Sequence, residues 1–155
     1  MFEWLEYTSV ALWVGQSSWG YPFLLSLHAI GLAIVAGLFS MRDLSLLGLI
    51  RGLTPAPLLS LSRLAWVGFL INAVSGGLLF CSQATVFVES KPFLLKLVFI
   101  ACGMITASII QTHLRESIPT SRNRLPRDCK TIFLAASSLM MWFLAITSGR
   151  LIAYA

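Results

Sequence analysis

The stretch YPFLLSLHAIGLAIVAGLFSM, residues 21 to 41, decides the fold of this chain. It contains no formally charged side chain, and at about 1.5 Å per helical residue it is long enough to cross a bilayer core of about 30 Å. Arg42 and Asp43 follow directly and are expected to mark the far membrane interface. The pattern predicts a transmembrane helix over 22–41, with His28 lying inside the membrane.

The composition excludes an ordinary soluble domain. Of the 155 residues, 57% are hydrophobic and only 11% are charged, whereas about a quarter of the residues in a soluble domain are charged. The net charge of +5 comes from cations that cluster between the apolar runs, as topology signals do. We therefore expect the lipid bilayer as a partner and no nucleic acid.

Three more apolar runs have membrane-crossing length, and an aromatic-rich segment precedes the first span. The predicted spans are 22–41, 57–82, 92–113 and 131–152. Residues 2–19 are mildly amphipathic and rich in tryptophan, which suits the headgroup layer. The predicted fold is an all-α integral membrane protein, with a four-helix transmembrane bundle and an N-terminal interfacial amphipathic helix in a single domain, 1–155.

Two stripes of small residues predict where the first two spans touch. Small residues let helices approach closely in lipid, where packing drives association. Residues at spacings of three or four share one helix face. The stripe on the second span consists of Ala65, Gly68, Asn72 and Gly76, and that on the first span of Ala29, Ala33 and Gly37. The two stripes are expected to face each other or a flat ligand.

The cations predict the orientation of the chain. One side of the four spans carries Arg42, Arg51, Arg63, Arg115, Arg122, Arg124, Arg127 and Lys130, and the other carries Lys91, Lys96 and Arg150. By the positive-inside rule the first side is cytoplasmic. We expect a multi-pass protein of the cell inner membrane with both termini on the outer, periplasmic side.

Three basic side chains then share one layer of the outer leaflet, namely His28, Lys96 and Arg150. Intramembrane ionisable groups are costly and mark sites by default. Two alternatives stay open: Lys96 and Arg150 are close enough to the surface to snorkel into the headgroups, and His28 could simply bond to a neighbouring carbonyl or hydroxyl group.

The chemistry of this layer suits haem b or a quinone in an electron-transfer protein. A neutral imidazole is a good axial ligand of haem iron, and cations pair with haem propionates or polarise a quinone carbonyl. Gly31, one turn after His28, would admit a flat ring. His113 is a weaker candidate iron ligand, because it lies about 22 Å from the depth of His28; as an alternative, it is an ordinary interfacial histidine.

The chain contains no HExxH, GxSxG or phosphate-loop motif, so a stand-alone enzyme is not expected. No carboxylate is expected well inside a span, which disfavours a proton-driven pump. Two alternatives to a cofactor-binding subunit remain. One is a structural or assembly subunit that docks onto other membrane subunits or a second copy; the other is a small-ion permease with the basic layer as its entrance.

Four segments together carry a family resemblance: LHAIGLAIVAGLFSMRDLSLLGL, WVGFLINAVSGGLLFCS, KPFLLKLVF and SGRLIAYA. They resemble an uncharacterised family of small bacterial four-span inner-membrane proteins, classed as a domain of unknown function. The marks that carry the resemblance are His28, Asp43, Gly76, Gly77, Lys96, Gly149, Arg150 and Tyr154. It implies a four-span fold without an assigned activity. More distantly, the layout looks like four-helix b-type cytochromes and copper-resistance membrane proteins.

Overall fold

The protein is helical throughout the part that a computed structural model describes, which is residues 3–117, 125 and 128–154. Its helices are α1 (Glu3–Glu6), α2 (Ser9–Gln16), α3 (Gly20–Leu46), α4 (Pro55–Ser82), α5 (Ala84–Glu89), α6 (Lys91–Ser117) and α7 (Cys129–Leu151), followed by a 3-10 turn, Ile152–Tyr154. Four of these helices, α3, α4, α6 and α7, are long and apolar enough to cross a membrane. The prediction of four such helices is confirmed.

The N-terminal segment differs from the single helix expected over residues 2–19. It is broken into α1 and α2 because Thr8 interrupts the helix. The Thr8 hydroxyl donates to the carbonyl of Leu5 over 2.7 Å and accepts from the amide of Ala11 over 3.3 Å, which makes Thr8 the N-cap of α2. Helix α2 then packs against α3 and α4.

The long helices form two antiparallel pairs. Helix α3 packs along α4, α6 packs along α7, and the contact between α3 and α7 joins the pairs, whereas α4 touches α6 only sparsely. The central apolar cluster contains Val35, Phe39, Met104 and Trp142. Phe39 and Trp142 stack with their ring centroids 5.8 Å apart, so aromatic packing fixes α3 against α7.

The small residues predicted to form a stripe on the second span lie on the side of α4 that faces the bundle. The prediction for the first span is wrong. Ala29, Ala33 and Gly37 are exposed. Helix α3 instead meets α4 through Gly31, where an added Cβ atom would lie 2.7 Å from the amide nitrogen of Asn72. The sequence could not show this, because α3 is apolar on every side and hydropathy does not fix its rotation.

Candidate functional site

His28 is held by two hydrogen bonds to one residue of the neighbouring helix. Its Nδ1 lies 3.0 Å from the carbonyl oxygen of Asn72, and the side-chain amide of Asn72 donates to the carbonyl oxygen of His28 over 2.8 Å. Since a carbonyl oxygen only accepts, Nδ1 carries the proton and Nε2 presents a lone pair. The bond from Nδ1 fixes the tautomer and the direction of the ring, and the bond from Asn72 ties the backbone of α3 to α4.

Lys96 of α6 completes this arrangement. Its ammonium nitrogen lies 3.5 Å from Nε2 of His28, so the ammonium group donates to the free lone pair of the imidazole. The aliphatic stem of Lys96 runs beside Gly149 of α7, where an added Cβ atom would lie 3.5 Å from the Lys96 Cδ atom. The structure therefore brings His28 and Lys96 together, as the sequence predicted from their shared depth.

Both side chains line a cavity of about 760 Å³, here called the His28 cavity. Its apolar walls include Tyr21, Leu25, Leu79, Phe80, Val86, Phe87, Phe93 and Ile152. Its polar lining comes from His28, Gln83, Glu89, Ser90, Lys91 and Lys96. The volume falls within the range of about 300–1,000 Å³ that is typical of small-molecule sites. Apolar walls with a few convergent polar groups are the usual composition of such sites.

Three stacked phenylalanines form the wall where α4, α5 and α6 meet. The ring centroids of Phe80 and Phe93 lie 5.5 Å apart at an angle of 9°, and those of Phe87 and Phe93 lie 5.2 Å apart. The short helix α5, which the sequence analysis did not predict, supplies Phe87. The cavity thus combines an aromatic wall with a cation at its polar end.

The short N-terminal helix α1 is fastened to α5 by one carboxylate. Oε1 of Glu6 accepts from the amide nitrogen of Thr85 over 2.8 Å and from its hydroxyl group over 2.6 Å. These two bonds hold the pKa of Glu6 below its ordinary value. Since α5 lines the His28 cavity, the bonds connect the N-terminal segment to the cavity wall.

The other predicted site residues lie elsewhere. Arg150 is exposed and outside the cavity lining, whereas its neighbour Gly149 lines the cavity; consecutive helical residues point in different directions. Gly31 is covered by the backbone of α4 and is therefore closed to a flat ring.

His113 lies near the opposite end of the bundle. Its Nδ1 is 3.1 Å from the hydroxyl oxygen of Thr131, and that hydroxyl group donates to Oδ1 of Asp128 over 2.6 Å. The bond from Thr131 lowers the pKa of Asp128. Across residues 3–117 and 128–154, no three His, Cys, Asp or Glu side chains converge to hold a metal ion.

The sequence analysis missed a buried ion pair. Arg42 and Asp43 are 1% and 0% exposed and lie inside the bundle rather than at the membrane interface where they were expected. Nε and Nη2 of Arg42 lie 2.8 and 2.7 Å from Oδ1 of Asp43, and Nη1 donates to the carbonyl oxygen of Ala107 over 3.1 Å. Asp43 lies within the candidate span Gly20–Leu46, three residues before its end, and Arg42 compensates its buried charge.

A comparison with family models, curated proteins and solved structures finds no match for this chain. The resemblance of its four segments to the small bacterial inner-membrane family stays a prediction.

Proposed function

We propose that the chain is a multi-pass membrane protein that binds a quinone-class ligand in the His28 cavity, as a small subunit that serves electron transfer. The observation that carries the proposal is the contact between Lys96 and His28 at the polar end of an apolar, aromatic-walled cavity. An ammonium group has three donors, so Lys96 can bond to His28 and still donate to a ligand carbonyl. The three phenylalanines line the cavity and supply apolar, aromatic contacts for the ring.

The partner of Lys96 supports a neutral ligand, since Lys96 makes no ion pair with Glu89, which lines the same cavity. Among the residues that the structure describes, the salt bridge within 4.0 Å joins Arg42 and Asp43. The partner of Lys96 is therefore the neutral imidazole of His28 and not a carboxylate. A half-buried cation without an anion beside it gains from an additional acceptor. A quinone carbonyl supplies such an acceptor without adding a charge.

Haem b is the second candidate, and one observation favours it. The bond from Nδ1 of His28 to the carbonyl oxygen of Asn72 leaves Nε2 as the ligating atom, and such a bond commonly orients metal-binding histidines. In the present arrangement Lys96 lies where the iron would bind, so haem binding requires Lys96 to turn away. The quinone proposal needs no such movement.

The location in the membrane is part of the proposal. The four long apolar helices imply contact with the bilayer. In the sequence, most cations adjoin the helix ends opposite the His28 cavity, with Arg122, Arg124 and Arg127 outside the described residues. This distribution supports an inner-membrane protein with the cavity and both termini on the periplasmic side.

The test is a titration of the full chain in lipid nanodiscs with a short-tailed benzoquinone. Binding is measured by the quenching of tryptophan fluorescence. Lys96→Met is expected to weaken binding at least about tenfold, equivalent to the loss of one charge-assisted hydrogen bond of about 1.5 kcal/mol or more. Lys130→Met is the matched control, because exposed Lys130 lies at the beginning of α7, outside the cavity lining, and should leave binding unchanged.

An absorption spectrum of the same samples, oxidised and dithionite-reduced, separates the two candidates. A Soret band that disappears in His28→Ala would establish haem b and overturn the quinone proposal. Neither a Soret band nor quinone binding would leave the structural or assembly subunit as the better explanation. Equal quinone binding by the wild type and Lys96→Met would remove Lys96 from the site.

A further inference from the structure

An amine, an imidazole and a backbone carbonyl stand in line at the polar end of the His28 cavity. Nζ of Lys96 lies 3.5 Å from Nε2 of His28, and Nδ1 of His28 lies 3.0 Å from the carbonyl oxygen of Asn72. The bond to Asn72 places the ring proton on Nδ1, so Nε2 meets Lys96 with its lone pair. A nucleophile, a base and a group that orients the base form the arrangement that activates nucleophiles in enzymes.

The surroundings of Lys96 suit a reactive amine. Within the described part of the chain, the salt bridge within 4.0 Å joins Arg42 and Asp43, so no carboxylate there holds Lys96 in its ammonium form. The imidazole of His28 can accept a proton from the ammonium group, which leaves a lone pair on Nζ. Lys96 is half-buried among apolar walls, and lysines in such surroundings serve as nucleophiles towards carbonyl compounds.

Two glycines make room for this pair. An added Cβ atom at Gly149 would lie 3.8 Å from Nζ of Lys96, and one at Gly76 would lie 2.8 Å from Cε1 of His28. Both glycines line the His28 cavity. Because neither position carries a side chain, none from these two positions stands between the nitrogen atoms and the cavity.

The cavity walls indicate which electrophile fits. The walls are mainly apolar and include the three phenylalanines that pack together where α4, α5 and α6 meet. The amine of a lysine attacks a carbonyl carbon to form an imine. An aldehyde carried on an apolar or aromatic body therefore matches both parts of the cavity. The protonated imine carries the single positive charge that Lys96 already has, so the reaction adds no charge to the cavity.

We propose that Lys96 is a nucleophilic amine that forms an imine with an apolar aldehyde bound in the His28 cavity. Nε2 of His28 takes one proton from the ammonium group, and the lone pair on Nζ then attacks the carbonyl carbon. The π electron pair of the carbonyl moves to its oxygen atom. That oxygen receives the proton from His28 and a second proton from Nζ, and it leaves as water. The ammonium group and the aldehyde thus give a protonated imine and water, without a further reactant.

This reaction goes beyond the proposed function, since it uses the same cavity but does not rest on quinone binding. Lys96→Arg separates the two proposals. A guanidinium group still donates hydrogen bonds to a quinone carbonyl, but it stays protonated and forms no imine. Imine formation should therefore be lost in Lys96→Arg, whether or not the chain binds a quinone.

The test is reductive trapping in nanodiscs of phosphatidylcholine, a lipid without a primary amine. Naphthaldehyde and sodium cyanoborohydride convert each imine of the full chain into a stable secondary amine, and peptide mass spectrometry gives the rate at each lysine. Lys96 should be modified at least about tenfold faster than Lys91 and Lys130, although both of these are exposed. Faster modification of the exposed lysines would overturn the proposal, because accessibility alone would then explain the rates.

A second variant tests the role of the imidazole. His28→Gln should slow trapping at Lys96 about a hundredfold, the lower end of what a positioned base contributes, while Lys91 and Lys130 keep their rates in the same sample. His113→Gln is the matched control, because His113 lies near the opposite end of the bundle, and it should keep the wild-type rate at Lys96. Equal rates at Lys96 in the wild type and His28→Gln would contradict proton transfer to His28.

Discussion

Gly76 lies so close to the imidazole of His28 that an added Cβ atom would come within 2.8 Å of Cε1. No real Cβ atom keeps such a distance, and the ring cannot yield without leaving the carbonyl oxygen of Asn72, to which its Nδ1 donates over 3.0 Å. A side chain added at position 76 would therefore change the direction in which His28 presents Nε2.

Gly76→Ala should displace His28 and weaken quinone binding about as much as His28→Ala does. Gly77→Ala is the matched control, because an added Cβ atom at Gly77 meets nothing within 4 Å. The measurement is the quinone titration in nanodiscs, with circular dichroism to check that both variants remain helical. Equal binding by the two alanine variants would show that the orientation of His28 does not matter to the ligand.

Gly31→Ala should loosen the contact between α3 and α4. Its Cβ atom would lie 2.7 Å from the amide nitrogen of Asn72 and 2.9 Å from the carbonyl oxygen of Gly68, so backbone would have to separate from backbone. We expect a loss of about 1–3 kcal/mol in the free energy of unfolding, as for other overpacked positions.

Gly37→Ala provides the control for this change on the same helix. An added Cβ atom there meets nothing within 4 Å, and alanine is the better helix former by about 1 kcal/mol. Stability should be unchanged or slightly higher when measured by unfolding in mixed detergent micelles. If both variants unfold alike, Gly31 is not a close-packing position.

The attachment of α1 to α5 through Glu6 should depend on pH. Since two bonds from Thr85 lower the pKa of Glu6 in the folded state, their contribution is fully present above the ordinary carboxyl pKa and is lost as the pH falls through the lowered value. Hydrogen exchange at the amide of Thr85, corrected for the intrinsic rate, should therefore accelerate only in acid, below pH about 4.

Two variants test the assignment of this pH dependence to Glu6. Glu6→Gln keeps a neutral, weaker acceptor oxygen, so Thr85 should exchange moderately faster at neutral pH and show little further dependence on acid. Thr85→Val removes the hydroxyl bond but keeps the amide bond, so it should show intermediate protection. An acid-induced loss of protection that persists in Glu6→Gln would assign the titration to another group.

The parts of this structure that sequence could predict are those that depend on length and position along the chain. Four apolar runs were sufficient for α3, α4, α6 and α7. The positions of His28 and Lys96 near the beginnings of α3 and α6 predicted a shared layer, although not their direct contact. Rotation about a helix axis could not be predicted where every face is apolar. For that reason Arg150 was expected beside Lys96, although it is exposed.

The buried ion pair was missed for a different reason. Arg42 and Asp43 stand at the end of an apolar run, where charges normally mark an interface. Their burial depends on partners distant in the sequence, namely the carbonyl oxygen of Ala107 and the neighbouring Ser138. A tertiary contact of this kind leaves no periodic signal in the residues that make it.

The same pair gives the last prediction, a double-mutant cycle. Asp43→Leu alone leaves the guanidinium group of Arg42 buried without its anion, and Arg42→Met alone leaves the carboxylate without its cation. Each single change should cost about 3–5 kcal/mol of unfolding free energy, because an uncompensated charge remains in the core. The double variant should recover most of that loss, since apolar side chains of similar volume need neither partner. Additive losses in the double variant, measured by unfolding in mixed micelles, would show that the two charges do not stabilise each other.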